Sequence, residues 1–150
     1  MPAGSPILLV EDNEDDVFLM RRALKKASVQ PPLQVVEDGQ QAVDYLSGTS
    51  QYADRELFPL PLVVFLDLKL PLRSGHEVLQ WIRAQPQFES LVVVVLTSSD
   101  EPKDVSRCYQ LGANSYIVKP PTSEQLNDLA KAFKWYWLEY NRFDQPNSHS

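Results

Sequence analysis

The side chains best suited to chemistry are Glu11 and Asp12, Asp67, Thr97 and Lys119, spread from one end of the 150-residue chain to the other. Each ends or directly follows a short apolar run: ILLV before Glu11, LVVFL before Asp67, LVVVVL before Thr97, SYIV before Lys119. Brought together, three carboxylates repel and raise one another's pKa unless a cation neutralises them. Oxygen-only ligation with few protein donors suits Mg²⁺, which keeps several waters and shares its shell with phosphate. A carboxylate can also act as nucleophile toward phosphorus and carry the phosphoryl group as an acyl phosphate. Phosphoryl transfer requires in-line positioning and neutralised equatorial oxygens, work for which a divalent cation, an ammonium and a hydroxyl are the right types.

These residues can meet only if the elements carrying them align. The runs Ile7–Val10, Leu33–Val36, Leu62–Leu66, Leu91–Leu96 and Ser115–Val118 read as strands. The third and fourth are almost continuously aliphatic, the pattern of strands buried on both faces of a parallel sheet. Between the strands lie helical patterns. Val17, Met20, Ala23, Leu24 and Ala27 share one helical face, and Ala42, Val43 and Leu46 another that Gly48 is placed to end. Ser74 and Glu77 form a capping signature ahead of Val78, Leu79 and Ile82. Asp104–Leu111 stops at Gly112, and Thr122 with Gln125 opens a last helix running through Leu126, Leu129, Ala130, Phe133 and Trp137. Alternating strands and helices imply right-handed βαβ units and a doubly wound α/β domain of flavodoxin-like type. In such a sheet the carboxyl ends of the strands line one edge, where ligands bind. The stretch 49–61 is too long for a tight connection and reads as an inserted surface loop, and residues 144–150 as a frayed tail.

Composition narrows the function. A net charge of −6 opposes general nucleic-acid or anionic-membrane binding, both of which need a basic surface. No apolar stretch approaches the roughly 20 residues of a membrane helix, and no leader pattern precedes the first strand. The single Cys108 excludes an intramolecular disulfide framework and reads as a packing residue. A cytoplasmic location is the expectation.

The motifs VEDN at 10–13, DLKLP at 67–71 with Gly75 beyond it, LTSS at 96–99 and GANSYIVKP at 112–120 occur in order, each at a strand end. Over residues 6–140 the chain resembles a CheY-like response-regulator receiver domain. That resemblance implies a single five-stranded parallel domain of strand order 2-1-3-4-5, with residues 1–5 and 144–150 as flexible termini. It implies Asp67 as the phosphoacceptor of a two-component phosphorelay, served by a sensor histidine kinase. Asp12 resembles the direct Mg²⁺ (or Mn²⁺) ligand, Glu11 the outer acid, and the Lys69 backbone carbonyl a further metal ligand beside Asp67. Thr97 resembles the hydroxyl that turns toward the phosphoryl group, Lys119 its ion-pair partner, and Tyr116 the aromatic switch. By the same analogy the Lys119–Pro120 bond is cis.

Two departures from the commonest pattern narrow the resemblance. The acidic pair is Glu-Asp, and the 49–61 insertion accompanies an aromatic end comprising Phe133, Trp135, Tyr136, Trp137 and Tyr140. The Glu-Asp pair is a frequent variant that leaves the inner ligand intact, whereas the insertion and the aromatic end are similar to those of small response regulators paired with bacterial phytochrome kinases, several of which dimerise. The implied partners are a histidine kinase of that kind, a further protein downstream, and a second copy of the chain. The contact face would comprise the fourth helix, fifth strand and fifth helix with the C-terminal aromatics.

Blander readings stand beside these. Asp67 alone reads equally as a turn residue, Tyr116 as a packed aromatic, and Glu14, Asp15 and Asp16 as a solvated helix start favoured by the dipole. His76 and His149 read as exposed. A nucleotide-phosphate site would want Gly, Ser or Thr where this chain places acids. A phosphatase of the haloacid-dehalogenase type needs an acid two residues past the nucleophile, where Lys69 stands. A receiver-like binding module without phosphorylation is the other rival, and the intact set of five side chains speaks against it.

Overall fold

The computed structural model describes residues 4–144. Its elements run β1 (Ile7–Val10), α1 (Glu14–Lys26), β2 (Leu33–Val36), α2 (Gly39–Ser47), β3 (Val63–Leu66), α3 (Gly75–Ala84), β4 (Val92–Thr97), α4 (Pro102–Gln110), β5 (Ser115–Val118) and α5 (Ser123–Phe133). The strands form one parallel sheet in the order β2-β1-β3-β4-β5, as expected. β3 and β4 begin one residue later than the apolar runs suggested, and β4 takes in Thr97.

Alternation along each central strand builds two cores. Leu8, Val10, Val64, Leu66, Val93 and Val95 face α2, α3 and Cys108 of α4 on one side. Ile7, Leu9, Val63, Phe65, Val92, Val94 and Leu96 face α1 and α5 on the other. Every residue of β1, β3 and β4 is therefore buried, while β5, an edge strand, is half-buried and exposes Val118.

Caps fix where the helices start. Asn13 accepts from the Asp16 amide at 3.0 Å, and Asp38 accepts from that of Gln41 at 2.7 Å. Ser74 and Glu77 form the reciprocal box expected of them, and Thr122 accepts from the Gln125 amide. Gly75 has a steric reason to be glycine: a Cβ there would lie 2.2 Å from the Asp67 carbonyl oxygen. That close approach, with the Gly75 amide donating to the Leu68 carbonyl at 2.9 Å, seats α3 against the end of β3.

Three expectations need correction. The 49–61 segment is not merely a surface loop. Tyr52 is buried, its ring lies 5.1 Å from those of Tyr45 and Phe58, and the Tyr45 hydroxyl donates to the Pro59 carbonyl at 2.8 Å. The Arg55 guanidinium donates to the carbonyls of Tyr45, Leu46 and Phe58 at 2.8–3.1 Å. It thereby adds a donor to the Tyr45 carbonyl, which also accepts from the Gly48 amide, and satisfies that of Leu46 at the end of α2. Second, among the described residues no peptide bond is cis, so Lys119–Pro120 is trans; only the analogy had favoured cis at a bond where trans is the lower-energy form. Third, the last helix changes pitch, α5 passing into π-helical turns over Lys134–Tyr140. Trp137 and Leu138 pack back on the core, while Trp135, Tyr136 and Tyr140 are more than half exposed. Asp144 accepts from the Ser90 hydroxyl at 2.7 Å; the rest of the expected frayed tail, with His149, lies outside the described residues.

Candidate functional site at the carboxyl edge of the sheet

The parallel ladder carries on one residue past each strand, and this sets the site. The Glu11 amide donates to Val36 O at 3.0 Å, that of Asp67 to Val10 O at 3.2 Å, and that of Lys119 to Thr97 O at 2.7 Å. Val10 is in register with Leu66, and Thr97 with Val118. Glu11, Asp67, Thr97 and Lys119 therefore meet along one edge.

Glu11 and Asp67 are buried, whereas Asp12 is exposed. One carboxylate oxygen from each of Glu11, Asp12 and Asp67 lies within 4.8 Å of the others. The Asp67 Oδ1 accepts from the Leu68 amide at 2.7 Å, and the Lys69 amide lies 3.5 Å from it; Lys69 itself is exposed. The Lys119 Nζ reaches Glu11 Oε1 at 2.7 Å, Asp16 Oδ2 at 2.8 Å and Asp67 Oδ2 at 3.2 Å. Asp16 was read as part of a solvated helix start, and the ion pair corrects that reading; Glu14 and Asp15 are exposed as expected.

Burial raises the Glu11 carboxyl to about 7; the Lys119 hydrogen bond opposes this and the Asp67 charge adds to it. Burial alone would lower Lys119, but its hydrogen bonds to Asp16 and Glu11 hold it above the ordinary lysine value. One ammonium among four carboxylates leaves net negative charge in a partly buried site. Closely spaced oxygens with that charge fit a hard divalent cation.

Thr97 is fully buried, and among the described residues its hydroxyl has no hydrogen-bond partner. Two strand-end turns meet beside it. The Tyr116 hydroxyl donates to the Ser99 carbonyl at 2.8 Å, and the Ser99 hydroxyl to Asp104 Oδ2 at 2.6 Å. His76, read as exposed, is largely covered. Its Nε2 lies 4.0 Å from Asp104 Oδ1, too far for a hydrogen bond. Burial, then the Arg107 charge, lower its pKa against the pull of Asp104, so the imidazole is neutral near pH 7. No local spacing signals this approach of α3 to α4.

Comparison with known proteins agrees with the geometry. Residues 7–131 match the model of the response regulator receiver domain. The probable methanogenesis regulatory protein FilR2 of Methanothrix harundinacea is 39% identical over 140 residues, 93% of this chain and 88% of the relative. Response regulator Rcp1 of Synechocystis sp. is 35% identical over 89% of this chain and 88% of its own length. The manganese-bound structure of Rcp1 superposes with a TM-score of 0.84 at 33% identity, covering 94% of this chain and 99% of that one. The phosphorylated cyanobacterial phytochrome response regulator RcpA gives 0.87 at 34% identity, covering 95% and 100%. With the strand order, the edge of acids and the motif match all in agreement, this chain belongs to the response regulator receiver domain family.

Proposed function

We propose that this chain, as one domain over residues 6–140, is the phosphoacceptor switch of a two-component relay. It takes a phosphoryl group on Asp67 from a phosphohistidine of a sensor histidine kinase. Similarity to RcpA, a cyanobacterial phytochrome response regulator, supports a kinase of phytochrome type, and the relay would act in the cytoplasm. Asp67 uses a carboxylate lone pair to form the new P–O bond as the P–N bond breaks, and the bonding electrons return to the imidazole nitrogen. Glu11, Asp12, Asp67 and the Lys69 backbone carbonyl would hold Mg²⁺ or Mn²⁺, which when bound neutralises charge on the transferring oxygens. Lys119 supplies the fixed positive charge beside Asp67.

The observation that carries this reading is the buried Thr97 hydroxyl, an orphan donor one residue beyond the register position beside Asp67. A buried hydroxyl left unpaired costs about 1–3 kcal/mol, which a phosphoryl oxygen would relieve. Once Thr97 turns to that oxygen, the Tyr116 ring moves inward and gives up its bond to the Ser99 carbonyl. The face of α4, β5 and α5 then changes its preferred shape, and the signal leaves by protein contact there, through a downstream partner or a second copy of the chain. The new group shifts this equilibrium only by contacts it makes better in one state.

Incubation with acetyl phosphate and Mg²⁺ followed by intact-mass measurement should give one phosphoryl adduct. No adduct on the wild type, or one that persists in Asp67→Asn, would sink the reading. The unphosphorylated binding module is the alternative that the first of those outcomes would favour.

A further inference from the structure

An ammonium has three N–H donors, and in Lys119 all three have a carboxylate partner: Glu11, Asp16 and Asp67. The relay described above uses Lys119 toward Asp67, yet the contact with Asp67 is the longest of the three at 3.2 Å. Asp16 is no metal candidate. It sits in the first turn of α1, its amide tied to the Asn13 cap, and it approaches from the side of α1 facing the segment after β5. Its side chain is 38% exposed against 3% for Glu11 and 9% for Asp67. Water can therefore replace Lys119 at Asp16 more cheaply than at either buried acid.

We propose that Asp16 is a positioning residue that, together with Glu11, holds the Lys119 ammonium on the α1 side, leaving Asp67 the more loosely engaged acid for a cation and making an incoming phosphoryl group compete for the lysine. This rests on the relay reading and extends it to a residue outside the motifs. Two consequences have opposite signs. With Asp16 present, the charge of Lys119 is partly neutralised and held on the α1 side, so a divalent cation meets less repulsion and less competition for Asp67. A phosphoryl group, in contrast, gains Lys119 only by displacing a carboxylate from it. Removing the Asp16 charge should loosen the cation and tighten the phosphoryl group.

The test is calorimetric titration of the full chain with Mg²⁺ alone, then with beryllofluoride, a phosphoryl mimic, at saturating Mg²⁺. In Asp16→Asn, Mg²⁺ should bind about threefold more weakly and beryllofluoride about threefold more tightly, the size expected of a half-exposed ion pair. Asp16→Glu, which keeps the charge, should return both values toward wild type. A purely structural role would weaken both ligands together and lower the thermal midpoint, so changes of the same sign overturn the proposal, as do unchanged affinities. If the wild type fails to bind beryllofluoride, or Asp67→Asn still binds it, the relay reading itself fails. If the wild type responds and Asp16→Asn matches it, only the role of Asp16 is lost.

Discussion

Glu11 shows how burial sets the conditions under which the site works. Its carboxyl titrates near 7 because burial, aided by the Asp67 charge, outweighs the Lys119 hydrogen bond. A metal-free fold therefore binds more protons than the unfolded chain between about 4.5 and 7. The stability this group contributes is present below 4.5 and lost as pH rises through 7. A cation entering the site must displace that proton below pH 7. Mg²⁺ affinity should fall with decreasing pH, approaching about tenfold per unit once well below 7. Titration calorimetry in buffers of different ionisation enthalpy would count the released proton, and Glu11→Gln should show a flat profile. A wild-type affinity constant from pH 8 to 5.5 would contradict the assignment. Lys69 gives a second expectation. Exposed two residues past Asp67, it would, on the relay reading, admit or block the water that hydrolyses an acyl phosphate. Lys69→Ala should change the lifetime of the phospho-form, measured by intact mass after acetyl phosphate is removed; an unaltered lifetime would count against it.

Elements explain what could and could not be read ahead of the structure. Glu11, Asp67, Thr97 and Lys119 were legible because each closes an apolar run, and parallel register sends all strand ends to one edge. Asp16 was not read as one of them, because the direction its side chain takes depends on where α1 begins, which the Asn13 cap decides. The approach of His76 to Asp104 joins two helices through tertiary packing, which no local spacing encodes. The 49–61 segment misled for a related reason: its length signals a loop, while the burial of Tyr52 depends on partners in α2. Arg55 offers the test. Removing three hydrogen bonds to half-buried carbonyls should destabilise the fold by about 2 kcal/mol. Denaturant unfolding of Arg55→Ala would measure it, and a shift below about 0.5 kcal/mol would return the segment to the status of a passive loop.

At the scale of the whole molecule, the proposed association with a second copy can be tested at the exposed aromatics. Trp135, Tyr136 and Tyr140 stand clear of the core at the end of α5, with Tyr109 and Val118 exposed on α4 and β5. Trp137 packs inward, so its removal tests the fold, and Trp135 is the better probe of association. If the chain dimerises through this face, Trp135→Ala should lower the mass found by light scattering at matched concentration while leaving the thermal midpoint within a few degrees. An unaltered mass, or a wild type that is monomeric throughout, would remove the dimer.

The bond between Lys119 and Asp16 spans 103 positions of the chain. A polypeptide emerging from the ribosome can form β1, β3 and β4, and with them the acids, before the residue that balances their charge has been made. On the relay reading, competence to receive a signal thus waits until the fifth strand and Lys119 have been made. It is also open to loss on local opening, because β5 is a half-buried edge strand whose only strand partner is β4. On that reading, a chain whose final strand has not docked, nascent or damaged, would be silent as well as unfinished.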